Sequence, residues 1–269
     1  MSKFYQYFRV LSLDVVCGAV VFSAFLASVM AVQVPLVVFI ELALAIWVIY
    51  TWDHLHDAKT ATASSSFRHQ FHKRHQRLLL YCLIGALAIG ATLVYFLSFR
   101  TIYLGAMLSI LVLIYFAIIQ FHKRFYHKET LVAIVYTAGV LLGPYSCAET
   151  VAPSLLLSCF FNIAALAFLN LMIFSEFEKE TDLKSGYPSL ALALGSKSGP
   201  MIIWILILQL ISLSVIAFAG LITVEAASCF ALMNLLLCFI YFGKSFSKRR
   251  EYYRILGDGI FFIPALFLL

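Results

Sequence analysis

Residues 154–175, SLLLSCFFNIAALAFLNLMIFS, run without one charged side chain and give way at once to Glu176-Phe177-Glu178-Lys179-Glu180-Thr181-Asp182. At a rise of about 1.5 Å per residue such a run crosses the roughly 30 Å of hydrocarbon in a bilayer. It is read as a membrane-spanning helix that ends in carboxylates at the boundary. The pattern occurs a second time, where the apolar run 34–52 closes on Asp53-His54-Leu55-His56-Asp57. Further apolar spans lie near 10–31, 78–97, 101–121, 130–148, 200–222 and 224–243, with a shorter one, 255–269, that carries Asp258. A composition of 63% hydrophobic and 12% charged residues, with a mean hydropathy of +0.98, excludes an ordinary soluble domain. The expected fold is an all-α polytopic membrane bundle, a single domain over 1–269, with nine transmembrane helices if the short last segment also crosses.

Basic residues fix the expected orientation. Of the 19 lysines and arginines, only Arg100 falls on the side opposite the rest, and all seven histidines lie with the majority. By the positive-inside rule that side is cytoplasmic, so the N-terminus and both acidic segments are expected there, in a pattern that suits a bacterial inner membrane. The first span, with no small-residue cleavage site before Gln33 and Pro35, reads as a retained anchor. The six cysteines all fall in apolar spans without a CxxC pair, and read as small core residues.

Each acidic segment sets two carboxylates four residues apart, Asp53 with Asp57 and Glu178 with Asp182, on one face of a helix. Lying on the same side of the membrane, the two pairs can meet at one mouth of the bundle, as two similar halves of a chain would place them. Paired carboxylates suit Mg2+, which takes one or two protein carboxylates and completes its shell with water and substrate phosphate. Between the first pair and the next span, residues 58–77 contain Ser66-Phe67-Arg68-His69-Gln70-Phe71-His72-Lys73-Arg74-His75. As a helix this would place His69, His72 and Gln76 on a face with Lys73 and Phe67 with Phe71 on another, a basic cap over the mouth that also suits anionic lipid headgroups. After the second pair, Gly186 and Pro188 should stop the helix.

The run Asp182-Leu183-Lys184-Ser185-Gly186-Tyr187-Pro188-Ser189, followed by Gly195, resembles the second acidic signature of the UbiA superfamily of intramembrane prenyltransferases. Asp53-xxx-Asp57 resembles the first. Lys123-Arg124 after the fourth span and Asp14 with Gly18 in the first match two more features of the pattern. The resemblance implies a bundle around a central cavity open to the cytoplasmic side, with Mg2+ held by Asp53, Asp57, Glu178 and Asp182 against the diphosphate of a prenyl donor. It assigns Lys123, Lys184 and Arg68 to the diphosphate oxygens. Loss of diphosphate would give an allylic cation that alkylates a lipophilic, often aromatic, acceptor; the partners are then donor, acceptor and membrane lipids, with no nucleic acid. The chain departs from the pattern at Ile49, where the first motif opens with Asn, at Glu178, where the second has Asp, and at Arg68-His69, where an Arg-Pro is usual.

Other readings attach to other residues. His54, His56, His69, His72 and His75 could suggest a metal oxygenase, but no His-His pair is present. A transporter would use broken helices near the midplane, for which Gly139, Gly143 and Pro144 are the only cluster. Loss of the first-motif Asn would suit an inactive protein that binds polyprenyl lipids. Glu41 falls about 18 Å along the helix from Asp53, toward the far boundary, and Asp258 is expected to pair with the basic run Lys248 to Arg254.

Overall fold

The computed structural model describes residues 3–58, 67–121, 125–186, 188–248 and 251–268. The described residues are helical throughout apart from short turns, with no strand among them. Among the described residues, seven helices are long and apolar enough to cross a membrane. These are α3 (Leu36–Asp57), α5 (Gln76–Leu93, extended by one 3-10 turn), α6 (Phe99–Phe121), α7 (Lys128–Cys147), α8 (Pro153–Ser185), α10 (Ser198–Phe218) and α11 (Val224–Phe242). The apolar helix α2 (Leu13–Val29) is shorter. Around the ends lie α1 (Lys3–Val10), α4 (Phe67–Arg74), α9 (Leu190–Leu194), α12 (Lys244–Ser247) and α13 (Tyr252–Gly259), which runs into a 3-10 segment, Ile260–Phe267.

In the C-terminal segment eight α-helical residues rise about 12 Å, and eight 3-10 residues, at about 2 Å each, add about 16 Å. The segment packs on both α2 and α11, so the first and last apolar segments are neighbours and the bundle closes. Aromatic rings make the seam: Phe22 lies 6.1 Å from Phe261 and 6.2 Å from Phe230, and Phe25 lies 6.2 Å from Phe267.

The longest helix, α8, occupies the centre. Its Ile163, Leu166, Leu169, Met172 and Ile173 are fully buried against α7, α10 and α11. With 33 residues it is about 50 Å long, far more than the hydrocarbon needs, so its acidic last turns project beyond the apolar layer. Gly186 ends it in the left-handed region at φ 71°, its N–H donating to the Asp182 carbonyl, a conformation a residue with Cβ adopts only at a cost. The first acidic pair is helical as well, because α3 continues through Asp57 beyond its apolar part.

The outward-facing side chains of α5 and α6 are apolar: Leu78, Tyr81, Ile84 and Leu87 on one, Tyr103, Met107, Ile110 and Ile114 on the other. This is the surface that lipid covers in a membrane protein. Inside, polar residues are paired between helices. Asn234 donates to Gln209 Oε1 at 2.9 Å and Gln209 donates to the Asn162 carbonyl at 3.0 Å, joining α11, α10 and α8. Such bonds are worth about 0.6–2 kcal/mol in a membrane interior and fix helix rotation as well. The cluster Gly139, Gly143 and Pro144 does not break α7, which continues through Pro144 to Cys147.

Candidate active site

The carboxylates of both motifs emerge at one end of the bundle, where two cations link them. The Arg68 guanidinium, on α4, is within electrostatic reach of Asp57, Asp53 and Glu178. Lys128, the first residue of α7, reaches both Asp53 and Asp182. Local folding explains where Lys128 sits. The next residue, Glu129, is buried and accepts the N–H of Leu190 at 3.2 Å, tying α7 to the loop that follows the second motif. That loop places Ser189 beside Asp182. Burial and the neighbouring Arg254 pull Arg68 below the usual arginine value while Asp57, Asp53 and Glu178 push it back; a guanidinium keeps its charge under such influence.

Glu178 is held by the C-terminal segment. Its Oε1 accepts from Arg254 Nη2 at 2.7 Å, from Arg254 Nε at 2.9 Å and from the Tyr253 hydroxyl at 2.9 Å. Lys179, between the motif carboxylates, turns the other way: it donates to the Gly195 carbonyl and to Ser198 Oγ at 3.0 Å, and pairs with Glu176 at 3.5 Å. It thereby clasps the start of α10 to α8. Asp53 stays open, its side chain 45% exposed.

The cap is a helix over Phe67–Arg74, and residues 59–66 lie outside the described residues. Its faces differ from the expected ones. Phe71 packs with Leu55, Leu79 and Leu83, and Tyr7 of α1 stands edge-on to Phe67 and Phe71 at 6.4 and 5.8 Å. His72 is buried beside His54, ring centroids 5.1 Å apart, while Lys73 is exposed, so these two do not share a face. Gln76 belongs to α5, because the helix is interrupted at His75. The physical reason is that apolar contact beneath α4 draws Phe71 and its neighbour inward, whereas the lysine ammonium keeps its hydration.

His54 Nε2 meets Ser12 Oγ at 3.1 Å, and His72 Nδ1 donates to the Arg68 carbonyl at 2.9 Å. The pair therefore pins α4 and the α1–α2 junction to the end of α3. Burial holds His72 below its ordinary value of 6.5, the carbonyl bond opposing it. A base whose folded value is depressed contributes its full stability above the unfolded value and loses it as pH falls through the folded one. The melting temperature in detergent is therefore expected to fall more steeply from pH 7 to pH 5 in the wild type than in His72→Gln. Equal slopes would mean that docking of the cap does not depend on a neutral His72.

Of the residues singled out in the sequence, Asp53, Asp57, Glu178, Asp182 and Arg68 are brought together. Lys184 is exposed on the last turn of α8 and makes no ion pair among the described residues. Lys123 and Arg124 lie outside the described residues. Asp14 pairs with Arg9 at 3.8 Å and is in reach of Arg68. Asp258 is influenced by Asp14, Arg9, Arg254 and Arg68, and so by one member of the basic run Lys248 to Arg254, of which Arg249 and Arg250 lie outside the described residues. Glu41 turns to α5, where one carboxylate oxygen comes within 3.3 Å of the point a Cβ on Gly90 would occupy. Lys128, Tyr253 and Arg254 were not distinguished in sequence from boundary charges and core aromatics; the signal available was only that each starts a helix next to an acidic one.

Among the described residues, no three histidine, cysteine, aspartate or glutamate side chains form a cluster that could hold a metal ion. The motif side chains are carboxylates, the donor type that suits a hard cation sharing its shell with water and a phosphate.

A sequence model of the UbiA prenyltransferase family matches residues 67–263, and the chain belongs to this family. The matched interval begins after Asp57, so it includes the second acidic motif and not the first. Three solved structures share the fold over nearly the whole chain. The apo structure of a UbiA homologue from Aeropyrum pernix K1 is 15% identical with a TM-score of 0.69, covering 95% of this chain and 96% of that one. A UbiA homologue from Archaeoglobus fulgidus bound to GPP and Mg2+ is 12% identical with a TM-score of 0.68, covering 97% and 98%. A digeranylgeranylglyceryl phosphate synthase is 12% identical with a TM-score of 0.61, covering 98% and 95%. No curated protein matches the sequence.

Proposed function

We propose that this protein transfers a prenyl group from a polyprenyl diphosphate to a lipophilic acceptor within the membrane, with Mg2+ and with its site facing the cytoplasm. The observation that carries the reading is the sharing of Arg68 and Lys128 between the two acidic motifs at one mouth. Four carboxylates, Asp53, Asp57, Glu178 and Asp182, stand among the cations Arg68, Lys128 and Arg254, a mixture that suits a divalent cation sharing its shell with a phosphate. The similarity to a homologue bound to GPP and Mg2+ supports the same class of donor. Preponderance of basic residues at this end supports the orientation, in a plasma membrane of bacterial type.

Asp53, Asp57 and Asp182 would hold the ion, while Glu178 is engaged by Arg254 and Tyr253. Bound there, Mg2+ would neutralise charge as the diphosphate departs. Arg68 and Lys128 would donate to the phosphate oxygens and strengthen as negative charge builds on the leaving group, which is where electrostatic stabilisation lowers a barrier. Lys184, on the last turn of α8, would add to this field, and the resemblance assigns Lys123 the same role. The apolar interior above would take the prenyl chain and exclude water from the allylic cation.

The test is diphosphate release by the purified chain given farnesyl or geranylgeranyl diphosphate and a membrane lipid extract, with Mg2+ and then with excess EDTA. Release that stops with EDTA, with a prenylated lipid found by mass spectrometry, is expected. Mg2+-independent release, or none with either donor, would overturn the reading.

A further inference from the structure

In this protein Glu178 has an unusual set of partners for a motif carboxylate. All three of its donors fall on Oε1. An arginine and a carboxylate usually meet fork to fork, two nitrogens on two oxygens. Here Nε and Nη2 of Arg254 converge on a single oxygen, which leaves Nη1, with two N–H groups, on the side of the guanidinium away from Glu178. Both side chains remain about a quarter exposed, 28% for Arg254 and 25% for Glu178, so the pair is partly open to solvent.

The guanidinium is also presented by a rigid support. Tyr253 stands edge-on to Phe174 at 5.6 Å and to Phe177 at 5.2 Å, both on α8. One turn further on, Gly257 brings the α13 backbone against Asn170 and Phe174 of the same helix. Arg254 is thus fixed between a ring lock and a backbone contact, and long-chain entropy, the usual cost of using an arginine, is already spent in folding.

Its surroundings hold both signs of charge. Arg254 and Arg68 are near enough to repel one another, and both feel Glu178. Asp182 is within reach of Arg254 as well. One edge of the Arg254 guanidinium ties α13 to α8 through Glu178, and planar, multi-donor recognition of phosphate is what the rest of an arginine does well. The identity of residue 178 fits the same account. Glu is one methylene longer than the Asp of the pattern it resembles, and it is this residue that reaches across from α8 to α13.

On the reading of the site as a diphosphate site, we propose that Arg254, delivered by α13, binds an oxygen of the substrate diphosphate through Nη1, and that Glu178 is the positioning residue that holds it there.

Binding of inorganic pyrophosphate and of a non-reactive farnesyl thiolodiphosphate, measured calorimetrically on the full chain in detergent with Mg2+, tests this without turnover. Arg254→Gln is expected to weaken binding about 10- to 100-fold, the range for loss of a hydrogen bond to a charged group. Glu178→Asp and Glu178→Gln should each weaken it about tenfold in the wild-type background and add less than about twofold in the Arg254→Gln background. The Mg2+ concentration for half-maximal binding at saturating analogue should change less than about threefold in Glu178→Asp. If instead Glu178→Gln raises the Mg2+ requirement tenfold or more, equally in both backgrounds, Glu178 is an ion ligand and the inference falls. It falls too if Arg254→Gln binds as the wild type does. Should Arg254→Gln fail to fold, Arg254→Lys keeps the charge but not the fork, and unchanged affinity in it is the overturning result. Wild-type protein that binds neither probe overturns the diphosphate site itself; wild-type binding with indifferent variants overturns only the role of Arg254.

Discussion

Asp57→Asn lowers Mg2+-dependent diphosphate release by about 10^2–10^3-fold or more, the scale expected when a charge that stabilises the transition state is lost, and it does so without lowering the melting temperature. The two halves of this result have one cause. Asp57 and Asp53 are like charges four residues apart on α3, close enough for mutual repulsion, and such pairs destabilise a helix by a few tenths of a kcal/mol. Asn keeps the shape and removes this repulsion together with the attraction of Arg68, so the two changes oppose each other and the metal-free protein melts close to the wild-type temperature. The wild type gains from Mg2+, because an ion bound only by the folded state stabilises it by mass action, and Asp57→Asn gains little. Asp182→Asn behaves alike for activity. A variant that turns over normally, or that loses activity only in step with its melting temperature, would remove Asp57 from the site. The opposite pattern, active Asp variants and dead His variants, would return attention to the imidazoles of α3 and α4.

What could be read in the sequence and what could not follows from the range of the forces involved. The apolar runs, their acidic ends and the side on which basic residues gather are local signals, and they led to α3 and α8 with their carboxylates at one mouth. Gly186 stopped α8 as its position after the last turn required. The last apolar segment is a 3-10 helix over Ile260–Phe267, a change of helix type that apolar periodicity does not signal. Arg254 and Lys128 were counted as boundary charges, because their partners are 76 and 54 residues away in sequence, respectively Glu178 and Asp182, and no periodicity carries that information. The inward turn of His72 is similar: helical spacing ranks faces, but which face is buried depends on Leu55, Leu79 and Leu83 from two other helices.

Gly257→Ala is the smallest change expected to disturb the site from a distance. A Cβ at this position would overlap Asn170 Oδ1 and would come within 2.5 and 2.6 Å of two Phe174 ring atoms. Neither neighbour yields cheaply: Phe174 is wedged against Tyr253, and an aromatic ring cannot bend away as a long aliphatic chain does. The helix α13 must therefore lift from α8. Overpacking of this kind costs about 1–3 kcal/mol, and Val at the same place costs more. Because Arg254 lies one turn before Gly257, the displacement also loosens its hold on Glu178, so weaker binding of the diphosphate probe accompanies the lower melting temperature. A second substitution separates steric from conformational causes. Phe174→Leu frees space beneath the added methyl, and in the pair Gly257→Ala with Phe174→Leu the melting temperature is expected to recover part of the loss seen in Gly257→Ala alone. Failure of any rescue, with probe binding intact in Gly257→Ala, would show that α13 tolerates the methyl and that its packing on α8 does not set the position of Arg254.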